Sequence, residues 1–130
     1  PTARPIRLAG LVDLLRDLAT RHQVYIVTSN TGETIDWFLS TYAVEGVCGV
    51  LGGDHHASKV KKIRRILRRN RGVDDAYYVG DTKGDMIEAR RAGVKAVAAA
   101  WGWHDADKLL EADPDHLCRC PDELRALLLS

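Results

Sequence analysis

The sequence predicts an α/β fold, a three-layer α/β/α Rossmann-like domain built on a parallel sheet. Short runs rich in β-branched and small apolar residues stand at Val24–Val27, Val47–Leu51, Ala76–Val79 and Lys95–Ala100. They lack polar alternation, which is the pattern of strands covered on both faces. Segments with apolar residues at helical spacing separate them. Strands that alternate with helices imply a parallel sheet with right-handed crossovers. With 130 residues the chain is long enough for a single core, so residues 1–130 read as one domain.

Leu8, Leu11, Val12, Leu14, Leu15 and Leu18 space a first helix over residues 8–21. The strand Val24–Val27 ends at the polar turn Thr28-Ser29-Asn30, and Glu33–Tyr42 reads as the next helix. After the strand Val47–Leu51 and the loop Gly52-Gly53-Asp54-His55-His56, residues Ser58–Arg71 read as a basic amphipathic helix. Its apolar positions are Val60, Ile63, Ile66 and Leu67. The strand Ala76–Val79 leads to a helix over Asp85–Ala92, which Gly93 should cap. A Trp101-Gly102-Trp103 loop follows the strand Lys95–Ala100. Asp105–Ala112 and Pro121–Leu129 read as helices, with a short strand around Leu117–Cys120.

Composition excludes several classes. Hydrophobic content of 45% and charged content of 28% are those of a globular protein rather than a disordered one. No apolar run approaches the roughly 20 residues that span a bilayer, so no membrane partner is expected and a cytoplasmic setting is the default. Cys48, Cys118 and Cys120 contain no Cys-x-x-Cys pair and read as free thiols. Net charge is +1, unevenly spread: residues 57–71 carry +8, residues 1–56 carry −2 and residues 72–130 carry −5.

The candidate chemistry centres on Gly80-Asp81-Thr82-Lys83-Gly84-Asp85. A strand that ends in Gly-Asp places a carboxylate at the sheet's C-terminal edge, where open α/β sheets bind ligands. A second carboxylate falls in the first turn of the next helix, and two acids around a tight turn suit a hard cation such as Mg²⁺. Acids in these positions also offset helix dipoles without any metal. At the end of Val24–Val27, the Thr28 hydroxyl and the N–H groups of Ser29 and Asn30 form a candidate phosphate site. Taken alone, these three residues have helix capping as the simpler role. Lys59, opening the basic helix, offers a point charge to a phosphoryl group or a carboxylate. His55 and His56 have no third ligand at suitable spacing and read as exposed loop residues.

In this order, a strand-end hydroxyl, a helix-start lysine and a strand-end acid pair, the motifs resemble the haloacid dehalogenase (HAD) superfamily, in particular its phosphoglycolate phosphatase-like members. Val24–Asn30 is similar to the second motif of that family, Ser58-Lys59 to the third, and Tyr77–Asp85 with Glu88–Val94 to the fourth. Trp101-Gly102 and Pro121-Asp122-Glu123-Leu124 resemble the tail of the subgroup. The resemblance implies that Thr28 hydrogen-bonds a transferring phosphoryl group, that Lys59 steadies the nucleophile, and that Asp81 ligates Mg²⁺ with Asp85 supporting it directly or through water. The implied reaction is phosphomonoester hydrolysis through an aspartyl-phosphate, acting on a small phosphorylated metabolite.

The family's first motif, an Asp-x-Asp on a strand, has no counterpart ahead of Thr28, where the only aspartates are Asp13 and Asp17 on a predicted helix. Asp105-Ala106-Asp107 and Asp113-Pro114-Asp115 follow no apolar strand and do not qualify. The cap segment between the first and second motifs is also absent. In this family the missing strand lies between the strands that here are Val24–Val27 and Ala76–Val79. The chain, which starts at Pro1, is therefore expected to be N-terminally incomplete and inactive alone, with an N-terminal segment or a second chain filling the gap. A non-catalytic interaction module of the same fold is the alternative. Nucleic-acid binding through the basic helix ranks third, because no known nucleic-acid module is present and a solvated face balanced by neighbouring acids accounts for such a run.

Overall fold

A computed structural model of the chain describes residues 8–27, 47–51, 59–72 and 75–129. Two compact units emerge: Pro1–Ala57 with Arg125–Ser130, and Ser58–Leu124. The expected helix Glu33–Tyr42, the Thr28–Asn30 turn and the loop carrying His55 and His56 lie outside the described residues.

The first unit contains helix α1 (Leu8–Ala19) and strands β1 (Val24–Val27) and β2 (Val47–Leu51). The strands form a parallel ladder, Tyr25 opposite Gly49 and Val27 opposite Leu51, with a register shift between Val24 and Tyr25. Leu14 and Leu18, one helical turn apart, are buried. The Arg125 guanidinium pairs with Asp17 at 3.0 Å. Arg21 donates to the carbonyl of Leu129 at 3.0 Å, which satisfies a carbonyl that the end of the last helix leaves open.

The second unit carries α2 (Lys59–Arg69), β3 (Tyr77–Gly80), α3 (Lys83–Ala92), β4 (Lys95–Ala99), α4 (Ala106–Leu110) and β5 (His116–Cys118), with the start of α5 (Pro121–Leu129). The sheet runs β3-β4-β5, parallel throughout, as the alternation of strands and helices predicts. Residues Ala96–Ala99 of β4 are all buried. Small side chains there let Met86, Ala89 and Leu109 close over the sheet, with Tyr78 and Leu117 at the margin. Val60 and Ile63 of α2 pack on Ala92 of α3 as a second cluster, and Tyr78 touches both clusters. Among the described residues β1 pairs on one side only, with β2, and β3 on one side only, with β4.

One boundary differs from the sequence reading in a way that bears on function. Helix α3 begins at Lys83 rather than Asp85. Thr82 is its N-cap: the Thr82 hydroxyl accepts from the N–H of Asp85, and the Asp85 carboxylate accepts from the N–H of Thr82, a reciprocal capping box. At the other end Gly93 takes the left-handed conformation (φ 83°) and Val94 donates back to Ala89, closing the helix as expected. Cys118 is buried and Cys120 exposed, both free thiols; burial, with the nearby Glu123 and Cys120, pushes the Cys118 thiol up. No described helix is long and apolar enough to cross a membrane.

Candidate active site

Parallel pairing of β3 and β4, with Gly80 opposite Ala98, brings the turns that follow these strands side by side at the C-terminal edge of the sheet. The turn after β3 holds Asp81 and Thr82, and the turn after β4 runs through Trp101, Gly102, Trp103 and His104. The packing of α2 against α3 brings Lys59 to the same edge. Every described candidate residue thus lies within the Ser58–Leu124 unit.

Asp85 is the hub. It is only 6% exposed, and four donors converge on its carboxylate. Lys59 Nζ at 3.0 Å and the Tyr78 hydroxyl at 3.3 Å donate to Oδ1. The backbone N–H groups of Asp81 at 3.1 Å and Thr82 at 3.2 Å donate to Oδ2. Burial pushes the Asp85 carboxyl up, but the hydrogen bond and charge of Lys59, with the donors at Thr82 and Asp81, outweigh it and hold the group below its ordinary value. The Tyr78 phenol is pushed far up, first by burial and then by the Asp85 charge, so it stays a donor across the working pH range. A buried carboxylate with this many donors is charged and fixed.

Asp81 is held differently. Its Oδ2 accepts from the backbone N–H of Trp103 at 3.0 Å, and its carbonyl accepts from the N–H of His104 at 3.0 Å. The His104 ring accepts from the N–H of Lys83 at 3.1 Å, which makes Nδ1 the unprotonated nitrogen. The loop after β4 thus clasps the turn after β3 from both sides. Asp81 Oδ1 accepts no hydrogen bond among the described residues, which leaves it available to an external ligand.

Two glycines make room for the acids. A Cβ at Gly80 would stand well under 3.0 Å from Asp85 Cβ, and one at Gly102 equally close to Asp81 Cβ and Oδ2. Gly102→Ala is therefore expected to turn the Asp81 carboxylate away from the Trp103 N–H. Stability should fall by only about 1–2 kcal/mol, since the loop is exposed. Loss of the Trp103 amide's protection from hydrogen exchange, with the sheet amides unchanged, would register the shift.

A divalent cation fits this arrangement in one respect. Asp81 supplies an anionic oxygen without a competing donor, the ligand type Mg²⁺ takes. Both oxygens of Asp85 are already engaged by protein donors, so it supports the site from behind. Among the described residues no three of His, Cys, Asp or Glu form a cluster. Thr28, Ser29 and Asn30 lie outside the described residues, so Lys59, Asp81 and Asp85 are the predicted residues seen together. Sequence reasoning missed Tyr78, Gly102 and His104 as parts of the site. It also passed over Thr82, although Thr-x-x-Asp before a helix spells a capping box.

A parallel sheet with an acid turn at its C-terminal edge, backed by a lysine–carboxylate pair, is the arrangement of the α/β proteins that bind ligands at their strand ends. The chain belongs to the haloacid dehalogenase-like hydrolase family, which matches residues 5–99. It is 33% identical over 118 residues to a phosphoglycolate phosphatase of Synechococcus elongatus, covering 88% of this chain and 56% of that protein. A 5'-nucleotidase of Pseudomonas aeruginosa is 27% identical over 127 residues, covering 93% of this chain and 58% of its own. Among solved structures, a haloacid dehalogenase-like hydrolase of Streptococcus pneumoniae superposes with a TM-score of 0.79 at 28% identity, over 91% of this chain and 58% of that one. The chain thus spans little more than half the length of these relatives.

Proposed function

We propose that these 130 residues carry the metal-binding, charge-balancing half of the active site of a Mg²⁺-dependent phosphomonoester hydrolase acting on a small phosphorylated metabolite. The observation that carries this reading is the Lys59–Asp85 pair set directly behind Asp81. Family membership and the phosphatases among the relatives support it.

In this reading Asp81 Oδ1 is the ligand and Asp85 fixes the Asp81 backbone through its N–H. Bound Mg²⁺ would supply positive charge to a phosphoryl group during transfer. Lys59 balances Asp85 and presents the rest of its ammonium to the same edge, while Thr28, Ser29 and Asn30 bind phosphoryl oxygens. The nucleophilic Asp-x-Asp comes from outside these 130 residues, through an N-terminal segment or a second chain, so this chain alone is inactive. The 130 residues act as one core domain. The free thiols Cys118 and Cys120 suit a reducing, cytoplasmic setting.

Metal binding tests the assignment without requiring turnover. Titration of Mn²⁺, read by its electron paramagnetic resonance signal, is expected to show one weak site that Asp81→Asn weakens about tenfold or more. Equal binding by Asp81→Asn and the parent would remove Asp81 from the site.

A further inference from the structure

Helix α2 has no acid along its length, and among the described residues no ion pair brings counter-charge to its outer face. Lys61, Arg64, Arg65, Arg68, Arg69 and Arg71 are all exposed. None of the ion pairs among the described residues involves them. Arg64 donates to a carbonyl, that of Arg91 at 3.0 Å, which brings the exposed Arg91 beside the same surface. Among the described residues, no acid forms an ion pair with this face. The cations stand in two rows at four-residue spacing, Lys61–Arg65–Arg69 and Arg64–Arg68, and like charges so placed each cost a helix about 0.2–0.5 kcal/mol. Val60 and Ile63 are buried on the opposite side and Ile66 and Leu67 are half-buried, so the arc of cations itself carries no apolar side chain.

We propose that the outer face of α2 binds the phosphodiester backbone of a nucleic acid, independently of the phosphatase site. A protein partner needs a desolvated apolar centre to bind well, and this arc has none. A polyanion needs only matched charge. The helix is about 16 Å long, which spans about four to five phosphates of one strand. Five of the six cations are arginines, whose planar forks match phosphate oxygens. With no aromatic side chain in the run, the contact reads charge and leaves base sequence unread. The chain outside residues 57–71 carries −7, but screening over about 8 Å at physiological salt lets the face act locally.

The test uses the full chain and fluorescein-labelled duplex DNA and single-stranded RNA of unrelated sequences, read by anisotropy. About four phosphate contacts predict sequence-independent binding whose affinity falls about a hundredfold between about 50 and 200 mM salt. The double variant Arg65→Gln/Arg68→Gln should weaken binding about tenfold or more and flatten the salt dependence. Lys108→Gln/Arg119→Gln, which removes the same charge from exposed sites elsewhere, should change it less than threefold. Absence of binding at low salt, or equal losses in the two double variants, overturns the proposal. Tighter binding to polyglutamate or to phosphatidylserine vesicles than to either nucleic acid overturns it in favour of those partners.

Discussion

Asp85→Ala is expected to destabilise the protein by about 2–4 kcal/mol, measured by urea unfolding at neutral pH. The substitution deletes an N-terminal cap partner of α3, worth about 1 kcal/mol. It also strands the Tyr78 hydroxyl and two backbone N–H groups, and leaves Lys59 without its counter-charge. Breaking a fully buried pair costs about 3–5 kcal/mol. The Lys59 side chain is 27% exposed and regains some water, which sets the lower figure. Asp85→Asn keeps an acceptor for the cap and should fall between the two. The effect depends on pH in a defined direction. Because the folded protein holds the Asp85 carboxyl below its ordinary value, its contribution is fully present above the unfolded value of about 3.9 and is lost as pH falls below that. The gap between parent and Asp85→Ala should therefore be widest near neutrality and close progressively below about pH 4. A gap that stays constant down to pH 2 would show that the charge of Asp85 contributes nothing to the fold.

Gly80→Ala is expected to cost about 1–3 kcal/mol, through a clash rather than a lost contact. The new methyl would stand 2.7 Å from Asp85 Cγ and Oδ2. An exposed side chain would swing away at little cost. Asp85 cannot, because four donors fix both of its oxygens. The decisive comparison is a double-mutant cycle. In an Asp85→Ala background the clash partner is gone, so Gly80→Ala should cost much less, with a coupling energy of about 1 kcal/mol or more. Additive losses would mean that Gly80 answers to the strand alone and not to the acid beside it.

The strands were legible in the sequence because they read as short unbroken apolar runs, although only β4 is buried along most of its length and β3 is half-buried throughout. Lys95–Ala99 and Val24–Val27 stand almost where those runs predict. The start of α3 was less legible, since Asp85 could be a metal acid, a dipole-compensating residue or a cap, and only the Thr82 geometry separates these. The pairing of Lys59 with Asp85 crosses 26 residues of chain and leaves no local trace. The clasp on Asp81 was invisible for the same reason, since Trp103 and His104 reach the acid only because β3 and β4 run parallel in one register. The basic run on α2 was plain in the sequence. What the sequence could not show is that none of the ion pairs among the described residues reaches its outer face.

In the proposed reading, Asp81, Asp85 and Lys59 form one half of a phosphoryl-transfer site whose nucleophile lies elsewhere. Hydrolysis of an aryl phosphate in Mg²⁺ tests it most directly, with this chain alone and with an apolar strand ending in Asp-x-Asp supplied upstream. No turnover is expected from the chain alone, and Mg²⁺-dependent turnover is expected in the extended protein, abolished by Asp81→Ala. Robust hydrolysis by the chain alone, lost on Asp81→Ala, would contradict it, because the nucleophile would then lie within these 130 residues.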